Sequence, residues 1–319
     1  MKYDLSFLLG GTMLLSIIVM IVGFVFLVKG ADCFVEGASQ LASYFHIPQM
    51  IIGLTIVAFG TSAPEMAISL VSAIKKSSDL AIGNIIGSNI MNVLLVLGIV
   101  GCISHIKVKK TTYMFEIPFV LVVTLILLIL GKIGHDLNVY DGIILLCLFA
   151  FFFVYLLFIA RSETVQDHQI SHNSLFFIMI SIVLGILGIV LGSQLIIESV
   201  DHIALALGLS KRFIGLTIVA FGTSLPELMT SFMAVLKGQD DLSVGNVIGS
   251  NIFNILFVLG LSALMCGPIV FIDKFIIDGL VAIISLMIFY FFINKDGEFV
   301  KIGAIIMLIL YFLYLIYLM

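Results

Sequence analysis

The sequence predicts an all-α integral membrane protein with ten transmembrane helices, arranged as two inverted five-helix repeats. Three observations support this prediction: an extreme apolar composition, a series of long apolar stretches and an internal duplication. Of the 319 residues, 62% are hydrophobic and 11% are charged, and the mean hydropathy is +1.29. Soluble domains do not reach these values, so the chain must reside in a lipid bilayer.

A helix needs roughly 20 apolar residues to cross the hydrocarbon core, where no water can satisfy unpaired backbone groups. Ten stretches meet this requirement, near residues 13–44, 49–74, 79–104, 114–131, 139–160, 174–207, 212–236, 241–266, 275–293 and 299–318. The first could pass for a signal peptide, but it is long and lacks an A-x-A cleavage site, so we count it as a helix.

The chain contains an internal repeat with an offset of 162 residues. Residues 53–65 read GLTIVAFGTSAPE and residues 215–227 read GLTIVAFGTSLPE, and residues 53–98 match residues 215–260 at 28 of 46 positions. Five helices per copy is an odd number, so the second copy enters the membrane from the opposite side. We therefore divide the chain into a first repeat (1–160), a short connecting loop (161–173) and a second, inverted repeat (174–319).

Each copy places a glutamate within an apolar helix, Glu65 in the first and Glu227 in the second. A charged side chain at this depth costs about 2.5–3.5 kcal/mol on insertion scales, and something must compensate it. A lone intramembrane acid can be a protonated structural group, but duplication in an identical polar setting disfavours that interpretation. Bound cations are the natural compensation.

Hydroxyl and amide side chains surround each glutamate in the sequence. Thr61 and Ser62 fall within one helical turn of Glu65, while Ser88 and Asn92 are four residues apart on one face of the next helix. The second copy repeats the set as Thr223, Ser224, Ser250 and Asn254. Hard cations prefer such oxygen ligands, so the two copies are predicted to converge on one cage.

Prolines are expected to break the two glutamate-bearing helices. Pro64 and Pro226 lack an N–H donor and clash with the carbonyls of Gly60 and Gly222, four residues earlier. A broken helix at membrane depth is tolerated where it lines a polar cavity, and its freed carbonyls can become cation ligands. Elsewhere, the charges Lys29, Asp32 and Glu36 share one face of the first helix and are interpreted as groups near the membrane interface.

Two carboxylates balance one Ca2+ or two Na+, which have similar radii but different charges. Such mutual exclusion is the physical basis of antiport, because a neutralised site can move between conformations whereas an empty, doubly negative site should do so poorly.

At the G-T-S-x-P-E and G-S-N-x-x-N motifs, the chain resembles the cation/calcium exchanger superfamily, and within it the prokaryotic Na+/Ca2+ exchangers. The resemblance implies that helices 1 and 6 slide across the other eight. It also implies a ligand set of Ala58 (carbonyl), Thr61, Ser62, Glu65, Ser88, Asn92, Ala220 (carbonyl), Thr223, Ser224, Glu227, Ser250 and Asn254. Several family members carry Asp where this chain has Asn254, so we expect a coupling ratio nearer two Na+ per Ca2+ than three.

The transported ions are therefore expected to be Ca2+ and Na+, with no cofactor, no enzymatic activity and the lipid bilayer of the plasma membrane as surroundings. No nucleic acid and no obligate protein partner are implied, since the net charge is −4 and the loops are short. Proton-coupled or K+-dependent Ca2+ antiport is the nearest alternative, because a buried glutamate can exchange a proton for a cation. A channel and an intramembrane hydrolase fit the sequence less well.

Overall fold

A computed structural model describes residues 13–76, 78–162, 174–206 and 220–318. Almost all of these residues are helical; one short antiparallel pairing joins β1 (Asp136–Leu137) to β2 (Ile269–Val270). The first half contains α1 (Met13–Tyr44), α2 (Gln49–Thr61 and Ala63–Ile74), α3 (Ser78–Met91, continuing to Ile103), α4 (Thr112–Gly134) and α5 (Val139–Ser162). The second contains α6 (Leu175–Ala206), α7 (Ala220–Thr223 and Leu225–Leu236), α8 (Asp240–Cys266), α9 (Lys274–Phe291) and α10 (Lys301–Leu318).

Within these described ranges, eight helices are long and apolar enough to cross a membrane, or nine if bent α2 is counted as one span. The predicted bounds agree with the structure to within a few residues. The start of the predicted seventh helix, 212–219, and most of the predicted connecting loop lie outside the described residues. Helix α4 runs past the predicted end at residue 131 to Gly134, and Lys132 in its last turn forms an ion pair with Asp273 at 2.8 Å.

Helix α2 bends by 51° between Thr61 and Ala63, which confirms the predicted break. Ser62 occupies the break with φ −82° and ψ 8°, and Pro64 lies in the first turn of the segment that follows. Helix α7 repeats this geometry at Ser224, with φ −91° and ψ 5° and Pro226 in the next turn. The missing proline N–H explains why both helices restart here.

Helices α1 and α6 pack against each other through glycines. A Cβ added at Gly30 would lie 2.6 Å from the backbone nitrogen of Ile189, and one added at Gly192 would lie 2.5 Å from that of Leu27. Small residues allow such close backbone contact between membrane helices. Residues from both helices share a hydrophobic cluster with α2 and α7, separate from the larger cluster that fills the rest of the bundle.

A second close contact joins α2 of the first half to α8 of the second half. A Cβ at Gly53 would lie 2.8 Å from the carbonyl oxygen of Leu242, and a Cβ at Gly245 would lie 2.8 Å from that of Met50. Neither position has room for a side chain. This contact brings the break in α2 against the polar residues of α8.

Candidate cation site

Glu65 and Glu227 are both completely buried, with 0% relative exposure. Each lies in the first turn of the helical segment that restarts after the break. The unpaired N–H groups at the start of a helix stabilise nearby negative charge, which offsets part of the cost of burying the two carboxylates. The break predicted from the prolines thus sets the position of both glutamates, at the start of a helical segment.

The serines at the two breaks contact the glutamates of the opposite half. Ser62 Oγ donates to Glu227 Oε1 at 2.8 Å, and Ser224 Oγ donates to Glu65 Oε1 at 3.4 Å. Ser88 Oγ of α3 also donates to Glu65 Oε1 at 3.4 Å. Neither Ser62 nor Ser224 uses its side chain to cap its own helix. The structure therefore brings the predicted residues of both halves into one buried site.

Among the predicted ligands that the structure describes, four oxygens are buried and have no hydrogen-bond donor: Glu65 Oε2, Glu227 Oε2, Asn92 Oδ1 and Asn254 Oδ1. They form two pairs related by the 162-residue offset. A buried acceptor without a partner costs about 1–3 kcal/mol, and more if it is charged. Oxygens of this kind are the ligands that hard cations prefer.

The remaining predicted ligands lie beside this set. Thr61 Oγ1 lies 3.0 Å from Asn246 Oδ1 and 3.5 Å from Ser250 Oγ, and Thr223 is buried at the break in α7. The Ala58 carbonyl oxygen accepts from the Ser62 N–H at 3.0 Å. It also lies 3.3 Å from Thr61 Oγ1, whose one proton has the Val57 carbonyl oxygen and Asn246 Oδ1 within reach as well. Ala220 is the first described residue of α7.

Two asparagines that the sequence analysis did not select hold the glutamates in place. Asn84 Nδ2 donates to the Glu65 carbonyl oxygen at 3.3 Å and to Ser69 Oγ at 3.1 Å. Asn246 Nδ2 makes the equivalent contact with the Glu227 carbonyl oxygen at 3.3 Å. A sequence signal existed, because both copies of the repeat carry a Gly-Asn pair at 83–84 and 245–246.

The acidic residues of α1 have a basic partner. Lys237 Nζ, in the turn between α7 and α8, lies 2.8 Å from Asp32 Oδ1 and 3.0 Å from Glu36 Oε2. Burial opposes the positive charge, but hydrogen bonds to Asp32 and Glu36 outweigh it and raise the pKa of Lys237 above its ordinary value. The predicted position of these charges near an interface is thus accompanied by an ion pair between α1 and the α7–α8 turn.

Comparison with known proteins gives a consistent result. The family model described as "Sodium/calcium exchanger protein" matches residues 15–158 and 177–319. The putative antiporter CaxA of Alkalimonas amylolytica is 40% identical over 81% of this chain and 83% of its own length. The sodium/calcium exchanger MaX1 of Methanosarcina acetivorans is 30% identical over 78% and 83%, respectively.

The solved structure of the sodium-calcium exchanger NCX_Mj, soaked with zero Na+ and Ca2+, superposes with a TM-score of 0.83 at 31% identity. The match covers 97% of this chain and 100% of that structure. The helical membrane fold and the family match are those of an antiporter of the cation/Ca2+ class. The chain belongs to the sodium/calcium exchanger protein family, whose model covers nearly all of it.

Proposed function

We propose that this protein exchanges Na+ for Ca2+ across the plasma membrane, by alternating access to a site near the bilayer midplane between two inverted five-helix repeats. The observation that carries the proposal is the set of four buried oxygens on Glu65, Glu227, Asn92 and Asn254 that have no hydrogen-bond donor among the described residues. The full ligand set is the one that the family resemblance implies: Ala58, Thr61, Ser62, Glu65, Ser88, Asn92, Ala220, Thr223, Ser224, Glu227, Ser250 and Asn254.

The chemistry of these donors suits the two ions. Ca2+ takes about six to eight oxygens, including carboxylates, and Na+ has a similar radius with half the charge. Glu65 and Glu227 together carry two negative charges, so one Ca2+ or two Na+ neutralises them. Either load satisfies the same buried acceptors, and the two loads exclude each other.

The packing of α1 on α6 supports a moving element of the alternating-access cycle. The two helices contact each other backbone to backbone at their glycines, whereas they meet α2, α7 and Leu242 of α8 through the side chains of a smaller hydrophobic cluster. A pair of helices held together in this way can move as one body across the broken helices. Access to Glu65 and Glu227 would then open to each side of the membrane in turn.

The amide at Asn254 bears on stoichiometry. A site with two carboxylates carries no third negative charge for a third Na+, so the proposed cycle moves two Na+ per Ca2+ and no net charge. Measurement of 45Ca2+ flux at imposed membrane potentials in liposomes tests this point, because a two-to-one exchange moves no net charge and should not respond to the potential. A ratio fixed at three to one would reject the two-to-one cycle without rejecting exchange.

Flux through reconstituted protein tests the proposed function directly. Liposomes loaded with Na+ are diluted into Na+-free buffer containing 45Ca2+, and uptake is followed for wild type, Glu65→Gln and Glu227→Gln. The proposal expects uptake that needs internal Na+ and that both substitutions abolish. Glu116→Gln is the matched control, because Glu116 is also buried, at 2% exposure. Its Oε1 atom accepts a hydrogen bond from the Tyr155 hydroxyl at 2.6 Å, in a contact between α4 and α5 rather than between the broken helices.

Uptake driven by a proton gradient without Na+ would show that the coupling ion is H+ rather than Na+. Uptake that requires K+ together with Na+ would indicate K+-dependent exchange. An unchanged flux in both glutamine variants would reject the site.

A further inference from the structure

Four buried asparagines connect α3 and α8 at the cation site. Asn89 and Asn92 come from α3, and Asn251 and Asn254 come from α8, with relative exposures of 3% or less. Only Asn92 and Asn254 belong to the ligand set described above. The other two hydrogen-bond to each other's backbone between α3 and α8.

The hydrogen bonds of this cluster fix which amide atom is oxygen and which is nitrogen. Asn89 Nδ2 donates to the Asn251 carbonyl oxygen at 3.2 Å, and Asn251 Nδ2 donates to the Asn89 carbonyl oxygen at 3.3 Å. A backbone carbonyl can only accept, so the side-chain atom that faces it must be the NH2 group. The Oδ1 atoms of Asn89 and Asn251 therefore point the other way.

Those two oxygens determine the orientation of the ligand amides. Asn89 Oδ1 accepts from Asn254 Nδ2 at 3.1 Å, and Asn251 Oδ1 accepts from Asn92 Nδ2 at 3.1 Å. With their NH2 groups held in this way, Asn92 and Asn254 present Oδ1 on the opposite side, where no donor among the described residues reaches it. Each ligand of one half is oriented by an asparagine of the other half.

We propose that Asn89 and Asn251 are positioning residues that select neutral amide ligands at positions 254 and 92 and thereby keep the site at two negative charges. This inference rests on the proposed function and adds a determinant of ion selectivity to it. The physical reason is repulsion between two acceptor oxygens. A carboxylate at position 254 would place an oxygen against Asn89 Oδ1, and Asn89 cannot turn its amide without placing that oxygen against the Asn251 carbonyl.

A double-mutant cycle separates this role from a merely structural one. Asn254→Asp is introduced alone and together with Asn89→Ser, which removes the opposing oxygen and leaves space for water. The readout is the half-saturating Ca2+ concentration for 45Ca2+ uptake and for thermal stabilisation of the purified protein. We expect Asn254→Asp to raise the half-saturating Ca2+ concentration at least about fivefold more when Asn89 is present than in the Asn89→Ser background. This factor lies within the range of coupling seen for contacting residues.

The repeat supplies two internal comparisons. Asn92→Asp with Asn251→Ser is the mirror pair and should show coupling of the same sign. Asn92→Asp with Asn89→Ser is the matched control, because Asn92 contacts Asn251 rather than Asn89. The Asn89 carbonyl oxygen, which orients Asn251, is retained in Asn89→Ser. The effects of these two substitutions should therefore add. Additive effects in all three pairs would overturn the positioning role while leaving exchange intact. A wild-type protein with no Ca2+-dependent flux or stabilisation would overturn the proposed function itself, and this inference with it.

Discussion

Ser62 Oγ lies 2.8 Å from Glu227 Oε1, whereas the equivalent pair, Ser224 Oγ and Glu65 Oε1, is separated by 3.4 Å. Two sequences that are nearly identical around the breaks thus adopt slightly different contacts. A site that opens to one side of the membrane at a time requires its two halves to differ in conformation. The two crossed contacts of the site are therefore not equivalent in this structure.

The first prediction concerns these serines. Ser62→Ala removes an oxygen that the proposed function assigns to the cation, and contacts between a hydroxyl and a charged group contribute about 1.5–3 kcal/mol. We expect the half-saturating Ca2+ concentration in 45Ca2+ uptake to rise about tenfold or more, since 1.4 kcal/mol corresponds to a factor of ten. Ser224→Ala, which breaks the longer contact, should have a smaller effect in the same assay.

Ser285→Ala is the control for the serine variants. Ser285 is 1% exposed and donates to the Ala282 carbonyl oxygen at 2.7 Å within α9, so its loss tests for a general cost of removing a buried hydroxyl. Its Ca2+ dependence should match wild type. Equal loss in Ser62→Ala and Ser285→Ala would argue against a role for Ser62 at the site.

The second prediction concerns stability. An ion that binds only the folded protein raises the free energy of unfolding, by about 2.7 kcal/mol when its concentration is 100 times Kd. Purified wild-type protein should therefore unfold at a higher temperature as Ca2+ is added, and Na+ should reduce this effect by competition. Glu65→Gln and Glu227→Gln should lose the Ca2+ response, whereas Glu116→Gln should retain it. A Ca2+ response that survives both site substitutions would place the binding elsewhere.

The third prediction addresses the packing of α1 on α6. In Gly30→Ala the new methyl group would lie 2.6 Å from the Ile189 nitrogen, so the helices must separate. Overpacking of this kind costs about 1–3 kcal/mol, and both the unfolding temperature and the exchange rate should fall. Gly83→Ala is the control, because its Cβ would meet only Phe275 at an ordinary 3.6 Å. Normal transport by Gly30→Ala would show that the close contact is dispensable.

The fourth prediction concerns Lys237. Lys237→Gln removes the ion pairs with Asp32 and Glu36, and hydrogen–deuterium exchange should increase in the middle of α1. The loss of protection in α1 should be modest, because partly exposed ion pairs contribute about 0–1 kcal/mol each. Lys132→Gln, which breaks an exposed 2.8 Å pair with Asp273, serves as control and should leave α1 unchanged.

The same ion pair has a defined pH dependence. Since the pKa of Lys237 is raised in the folded protein, its contribution to stability is fully present below the ordinary lysine pKa and is lost only as pH rises through the raised value. Protection of α1 against exchange should therefore be insensitive to Lys237 titration at neutral pH. A wild-type loss of protection near neutral pH that is absent from Lys237→Gln would contradict this assignment.

Much of the helical layout could be predicted from sequence, because apolar length and proline chemistry act locally. The breaks at Ser62 and Ser224 follow from Pro64 and Pro226, two residues further on. The glutamates could also be selected, since an acid repeated at membrane depth requires a compensating partner. These inferences need no knowledge of which helices touch.

The contacts between halves could not be predicted in the same way. Ser62 of α2 meets Glu227 of α7, and this contact is a property of packing between the halves rather than of either helix alone. The role of Asn89 could not be predicted for a related reason. In the sequence it is only one more polar residue beside a ligand, and its partners on α8 are known from the structure alone. Nor does the sequence indicate the wide π-helical stretches, such as the one that begins at Asn92.

The crossed contacts between Ser62 and Glu227 and between Ser224 and Glu65 also bear on ancestry. Each copy of the repeat supplies the acid for one contact and the hydroxyl for the other, so a single copy holds fragments of two contacts and neither one complete. An unduplicated copy could therefore assemble these contacts only as a pair of chains. Joining two copies in one chain gives each its own sequence, so that one contact can be altered without the other.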